Sequence, residues 1–232
     1  MILAQPDTRS GIARVRFEIQ RIDYAAPEAS GRQGGVQAGF PLWIARFEID
    51  RIDPVSSDEW QAFLDRMRGR IRRFYGCDPT RRFPRAYGFG FGGLVRAGTM
   101  TAFTGPATSW SQSITADGDA QMTLNGLPAG LVISVGDYIG LRWDAAGLGA
   151  GNMQRRTMAR AVLPATANGS GVAVVTVEPP VNTSLVPSGA IAHLDNPVCV
   201  MQLAPEESEL GPIGAGGIRN GGGIVAVQDL RP

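Results

Sequence analysis

Lysine is absent, and all 22 basic residues of the chain are arginine. Histidine occurs once, at His193, and cysteine twice, at Cys77 and Cys199. A lone histidine with two distant cysteines is a poor tetrahedral zinc set. His193 and Asp195 lie close in sequence, but no GxSxG elbow supplies a nucleophile for a triad, so His193 reads as an ordinary strand or loop residue. The cysteines lack a CxxC partner and are expected as free thiols, so nothing suggests a secreted disulfide scaffold. Charge is sparse, at 19% of residues with a net of +1, so no global field recruits nucleic acid or an anionic membrane. No apolar run approaches a membrane span, and the first ten residues lack a basic, then apolar, leader pattern. A soluble protein made in a cytoplasm is the expectation, with no membrane insertion.

Other chemical signatures are incomplete. The glycine-rich runs 88–93 (GFGFGG) and 214–217 (GAGG) lack the Lys-Ser/Thr ending of a phosphate loop. Asp117, Asp119 and Asn125 lie in one loop, but the glutamate that closes a calcium loop is missing, so a solvated turn is expected. No catalytic residue, cofactor site or metal site is assigned.

What the chain does hold is turn formers. With 31 glycines and 16 prolines, 232 residues favour many turns and short strands. Val15, Phe17 and Ile19 alternate with Arg14, Arg16, Glu18 and Gln20, the pattern of a strand with one apolar face. The segment Phe17–Asp23 (FEIQRID) recurs at Phe47–Asp53 (FEIDRID), identical at six of seven positions, and both copies break their alternation at the Arg-Ile step. Two related strands of one sheet, each ending or bulging there, fit this repeat. The connection Ser30–Gly39 reads as an exposed loop.

Trp43, Ala45, Phe47 and Ile49 form the apolar face of the second copy's strand. Pro54 stops it, and Ser56-x-x-Glu59 is a capping box for a helix over 57–68. Trp60, Phe63, Leu64 and Met67 fall on one arc of that helix, and Ile71 and Phe74 extend it. The pattern therefore permits a helix to Phe74, or a stop at Gly69 followed by a strand over Arg70–Tyr75. Between residues 66 and 96, Arg66, Arg68, Arg70, Arg72, Arg73, Arg81, Arg82, Arg85 and Arg96 interleave with Phe74, Tyr75, Phe83, Tyr87, Phe89 and Phe91. Base stacking with phosphate contacts is one reading. The neutral charge balance favours a solvated or subunit-facing surface with the aromatics turned inward.

Near Gly92 the composition shifts to Gly, Ala, Thr, Ser and Val. Asn125-Gly126 fits a tight hairpin, Leu131–Val135 and Tyr138–Trp143 flank a Gly136-Asp137 turn, and Val172–Val177 and Val198–Leu203 are strand candidates. The fold class is mainly β. A β-sandwich-like domain with one short helix spans 1–91, a second all-β domain, barrel- or sandwich-like, spans 92–204, and a glycine-rich tail over 205–232 returns a strand at Ile224–Val227.

PLWIARFEI (41–49), DEWQAFLDRMRG (58–69) and RIRRFYGCDP (70–79) together resemble the N-terminal part of siphophage tail-tip proteins of the distal-tail type. GLPAGLVISVGDYIGL (126–141) is similar to a strand-turn-strand in the second β module of related phage proteins. The resemblance covers Phe40 to Leu203 and favours the break at Gly69. It implies a homo-hexameric ring at the virion tail tip, assembled in the bacterial cytoplasm, that joins the tail tube protein to the tail hub protein. In such a ring the helix core is Trp60, Phe63, Leu64, Met67 and Phe74. Arg14, Arg16, Glu18, Arg46, Glu48, Asp50, Arg70 and Arg72 are candidate subunit-interface charges. Two rival readings stand beside it. One is a host-glycan-binding module with Trp110 and Trp143 as stacking platforms, the alternative for either ring being a place in the core. The other is a cell-envelope hydrolase. No sequence-specific nucleic-acid partner is expected.

Overall fold

The computed structural model describes residues 2–6, 11–27, 33–145, 151–214 and 217–230. Strands hold 43% of the chain and helices 11%, so the protein is mainly β, with one α-helix and several sheets. In chain order the first strands are β1 (Ile2–Ala4), β2 (Ile12–Gln20), β3 (Asp23–Pro27), β4 (Gln33–Gln37) and β5 (Leu42–Ile49). Helix α1 (Pro54–Met67) and β6 (Arg73–Cys77) follow. After two single-turn 3₁₀ segments, Pro79–Arg81 and Arg85–Tyr87, come β7 (Ser109–Ile114), β8 (Ala120–Asn125), β9 (Val132–Ile133) and β10 (Tyr138–Trp143). They lead to β11 (Arg155–Ala161), β12 (Ala165–Thr166), β13 (Ala173–Glu178) and β14 (Ile191–His193). The last strands are β15 (Val198–Leu203), β16 (Glu209–Leu210) and β17 (Gly222–Gln228).

A seven-stranded sheet has the order β1-β6-β15-β17-β5-β2, with β16 beside β17. A six-stranded sheet has the order β14-β10-β11-β13-β8-β7. The second unit is thus an insertion between β6 and β15. Val198–Leu203, expected in the second domain, pairs instead with β6 and β17 in the first sheet. The boundary near Gly92 also shifts, because Phe91 is buried in the second core and Phe83 and Tyr87 pack against it. A change of composition marked residue types there and not the path of the chain. The tail's strand is longer than Ile224–Val227 and lies centrally, between β15 and β5.

The paired registers place Leu3, Phe74, Met201, Leu203, Ala226, Ala45 and Phe17 on one face of the first sheet, and all are buried. Helix α1 covers part of that face, with Phe63 edge-on to Phe74 at 5.3 Å and Trp60 at 5.8 Å from Phe63. Tyr138 and Met158 of the inserted unit cover another part and belong to the same core. β2 and β5, the repeated segments, pair antiparallel, and both stop at the Arg-Ile step. The Ser30–Gly39 connection is not all loop, because β4 pairs with β3 across a hairpin whose tip, 28–32, lies outside the described residues.

The helix starts earlier than the capping box implied. Asp53 is the N-cap, accepting from the amides of Val55 (3.0 Å) and Ser56 (3.1 Å), and Pro54 occupies the first helical turn. Proline needs no partner for the donor it lacks there, so it opens the helix as readily as it ends a strand. The Ser56 hydroxyl donates to the Asp53 carboxylate at 2.6 Å. At the other end Arg68 and Gly69 both adopt positive φ and terminate the helix, and the following strand starts at Arg73 instead of Arg70.

The two units are locked together by polar and aromatic contacts centred on Trp43, which is fully buried. Its indole N–H donates to the Met158 carbonyl at 2.7 Å, and its amide donates to Gln228 Oε1 at 3.1 Å. Gln228 then donates through Nε2 to Thr157 Oγ1 at 2.7 Å. The Arg160 guanidinium stacks over Trp43 at 4.8 Å and donates to the Phe17 carbonyl at 3.2 Å.

Two outcomes follow. Trp43→Phe keeps an aromatic ring but strands the Met158 carbonyl, and urea unfolding is expected to lose about 2 to 4 kcal/mol. The Asp53 carboxyl is held below its usual range, chiefly by the Ser56 hydroxyl and amide. Its contribution is therefore present above the unfolded aspartate pKa and fades as pH falls through the lower folded one. The melting-temperature gap between the native chain and Asp53→Ala should narrow on acidification from about pH 6 to about pH 3. A gap that widens on acidification would refute the assignment.

Candidate functional site

The arginine-rich stretch from Arg66 to Arg96 divides by structural role. Arg70 pairs with Glu206 at 2.6 Å, and Arg72 donates to the Arg66 carbonyl at 3.0 Å. Arg73 pairs with buried Asp229. Arg96 donates to the carbonyls of Gly126 (2.5 Å) and Pro106 (2.6 Å) and lies over the Phe103 ring, so it buttresses the second unit. Arg81, Arg82 and Arg85 have a different setting. They line one cleft of about 450 Å³, with Thr80, Phe83 and Asp137, where the chain first crosses from one unit to the other.

Local capping builds this cleft. The Asp78 carboxylate accepts from the Thr80 amide (2.9 Å) and hydroxyl (2.6 Å), fixing the 3₁₀ turn that carries Arg81. The Tyr138 hydroxyl approaches the other Asp78 oxygen at 3.4 Å. Burial, and then the Asp78 charge, push the Tyr138 phenol up to about 12, so it stays a neutral donor. Asp137, almost fully buried, accepts from the amides of Arg85 (2.9 Å) and Ser134 (2.7 Å). The returning chain closes the frame, with the Asn196 amide donating to the Arg82 carbonyl at 2.7 Å. Gly136, at φ +86°, leaves room for Arg81, since a Cβ there would lie 2.5 Å from Nη1.

The helix-core residues Trp60, Phe63, Met67 and Phe74 are buried, and Leu64 is half-buried. The candidate interface charges pair largely within the chain. Arg14 meets Glu48 at 3.5 Å, Arg16 meets Glu18 at 3.6 Å, and Arg46 meets Glu207 at 3.2 Å, while Asp50 is exposed. Arg16 and Arg46 sit directly opposite on β2 and β5, so separate carboxylates offset a like-charge pair. Each exposed pair contributes at most about 1 kcal/mol.

Trp110 is not an exposed platform. Its ring is in the core of the second unit and its indole donates to the Ala190 carbonyl at 2.8 Å. Trp143 is half-buried against the same core. The stacking role is corrected for Trp110 on this ground: a buried indole whose donor is satisfied has no face for a sugar. Phe89, beside the arginine cleft in sequence, is the fully exposed aromatic that the pattern of neighbouring buried rings concealed.

His193 is buried, with Nδ1 2.7 Å from the Asp195 carbonyl, and its Nε2 lies against Gly140, where a Cβ would approach it to 2.5 Å. Asp117 and Asp119 sit in the β7–β8 hairpin turn, where the Thr115 amide donates to the Asp119 carbonyl at 2.9 Å. Asn125-Gly126 is no tight hairpin, because β8 leads on to β9, which pairs with β12. Among the described residues no group of three or more His, Cys, Asp or Glu could hold a metal ion, and no helix is long and apolar enough to cross a membrane. Both cysteines are free. Cys77 opposes Val198 and Cys199 opposes Gly76, so the thiols leave opposite faces of the sheet, and burial pushes both up from their ordinary range.

In comparison with known proteins, no family model and no curated protein matches this chain.

Trp110→Ala should cost about 3 to 5 kcal/mol in chemical unfolding. Phe89→Ala should stay within about 0.5 kcal/mol of the native chain. A neutral Trp110→Ala would return that ring to the surface.

Proposed function

We propose that the chain is a structural, non-enzymatic virion protein, an adaptor that forms a ring at the tail tip of a long-tailed bacteriophage and joins tail tube to hub. The observation that carries this reading is the path of the segment that resembles distal-tail proteins. PLWIARFEI supplies β5, DEWQAFLDRMRG supplies most of α1 and its stop, and RFYGC is β6; the two strands lie in one sheet, α1 packs on it, and a β unit is inserted after β6. An adaptor needs a rigid ring-forming layer and a second layer to meet a different neighbour, and this two-unit build offers both.

The edges of the first sheet supply a means of closure. β1 and β2 are its outer strands, and no described strand pairs with their outer sides. Open edges of two different strands are suited to a heterologous contact, in which one subunit's β2 side meets the next subunit's β1 side, and such contacts close into rings. The mixed charges on the exposed face of β2 and β5 would fix register at those seams.

Light scattering of the purified protein, with negative-stain images of the same fraction, tests this reading. The expected result is a closed ring, six-fold in the arrangement the resemblance implies. A monomer that neither closes at high concentration nor binds tube or hub protein would overturn it.

A further inference from the structure

We propose that the cleft at the crossing between the two units is an oxyanion site that takes the phosphate group of a ligand. This inference does not rest on the adaptor reading.

Three arginines from one short segment, TRRFPR (80–85), line the cleft with one carboxylate, Asp137, while the Asp78 carboxylate lies behind Thr80. Both Asp137 oxygens are engaged by backbone amides, so that side chain serves as a strut for the loop. Arg81 Nη1 is buried without a hydrogen-bond partner. That nitrogen lies against Gly136, so Arg81 would meet a ligand in the cleft through its remaining N–H groups.

The chemistry favours phosphate. Guanidinium forks match tetrahedral oxyanions with paired N–H donors, and Arg81 and Arg85 bring two such forks to one cleft. The Thr80 hydroxyl and the apolar wall of Phe83 stand beside the charges, so the remainder of a ligand has a polar and an apolar side to lie against. About 450 Å³ falls within the range of small-ligand pockets. The arginines sit on backbone already fixed by Asp78, Asp137 and Asn196, so little ordering remains at binding.

Isothermal titration of the full chain with inorganic pyrophosphate, and separately with a short poly(glycerol phosphate), tests the site. Saturable binding is expected, weakening as salt rises. Pyrophosphate favoured over the polymer would indicate a free phosphate ligand, and the reverse a phosphodiester polymer. Arg85→Gln, at an exposed position where the fold is retained, should weaken binding about tenfold. Arg81→Gln combined with Arg85→Gln should abolish it, with circular dichroism and melting temperature establishing that this variant is folded. Absence of binding to both probes, or binding unchanged in Arg85→Gln, would overturn the proposal.

Discussion

An inserted unit leaves its host sheet by one strand and returns by another, and something in the host must hold it in place. Here that element is Trp43. Its indole reaches the Met158 carbonyl, its amide is held by Gln228, and Gln228 reaches on to Thr157. Phe17 and Tyr138 pack edge-on against its ring at 6.3 and 5.8 Å. The donor and both sides of Gln228 are satisfied in a buried setting, where an unmet partner would cost the full desolvation of that group. The first core therefore includes Tyr138 and Met158 from the inserted unit, and the face of the first sheet is completed by it.

The absence of lysine acquires a physical meaning at this seam. Arg160 lies over Trp43 and Tyr138, and Arg156 lies over Tyr75 at 4.4 Å. A flat, weakly hydrated guanidinium can stack on a ring and still donate sideways to a carbonyl, as Arg160 does to Phe17. The ammonium group of a lysine would keep its water and forgo one of the two. The same property suits the three arginines of the cleft to an oxyanion.

Patterns that depend on near neighbours were legible in the sequence. The arc of Trp60, Phe63 and Met67 and the alternation of Trp43 to Ile49 follow from side-chain period alone, and the repeat of the two FEI-containing segments placed them in one sheet without saying that they pair. What distant partners decide was not legible. Val198–Leu203 is a continuous apolar run that gives no clue to which sheet receives it. Trp110 stands between Ser109 and Ser111, where a polar strand suggests an exposed ring, yet the ring turns into the second core. Ser56 and Asp53 are both good helix caps, and only geometry selects the aspartate. The arginine crowd was visible, but its division into ion pairs, buttresses and a cleft depends on two 3₁₀ turns and on Asp137, far along the chain.

The central place of β17 has a kinetic consequence. Its hydrogen-bonding partners, β5 and β15, lie on either side of it, so the sheet has a gap until that segment has been synthesised. During translation the β2–β5 pair must wait with one raw edge exposed, while the inserted unit, whose strands pair among themselves, can already form. The sheet that carries the insertion is therefore the last part that can be completed, whatever has formed before it. Loop closure across the insertion is slow when the chain is open and easy once a folded unit has brought β6 and β15 together.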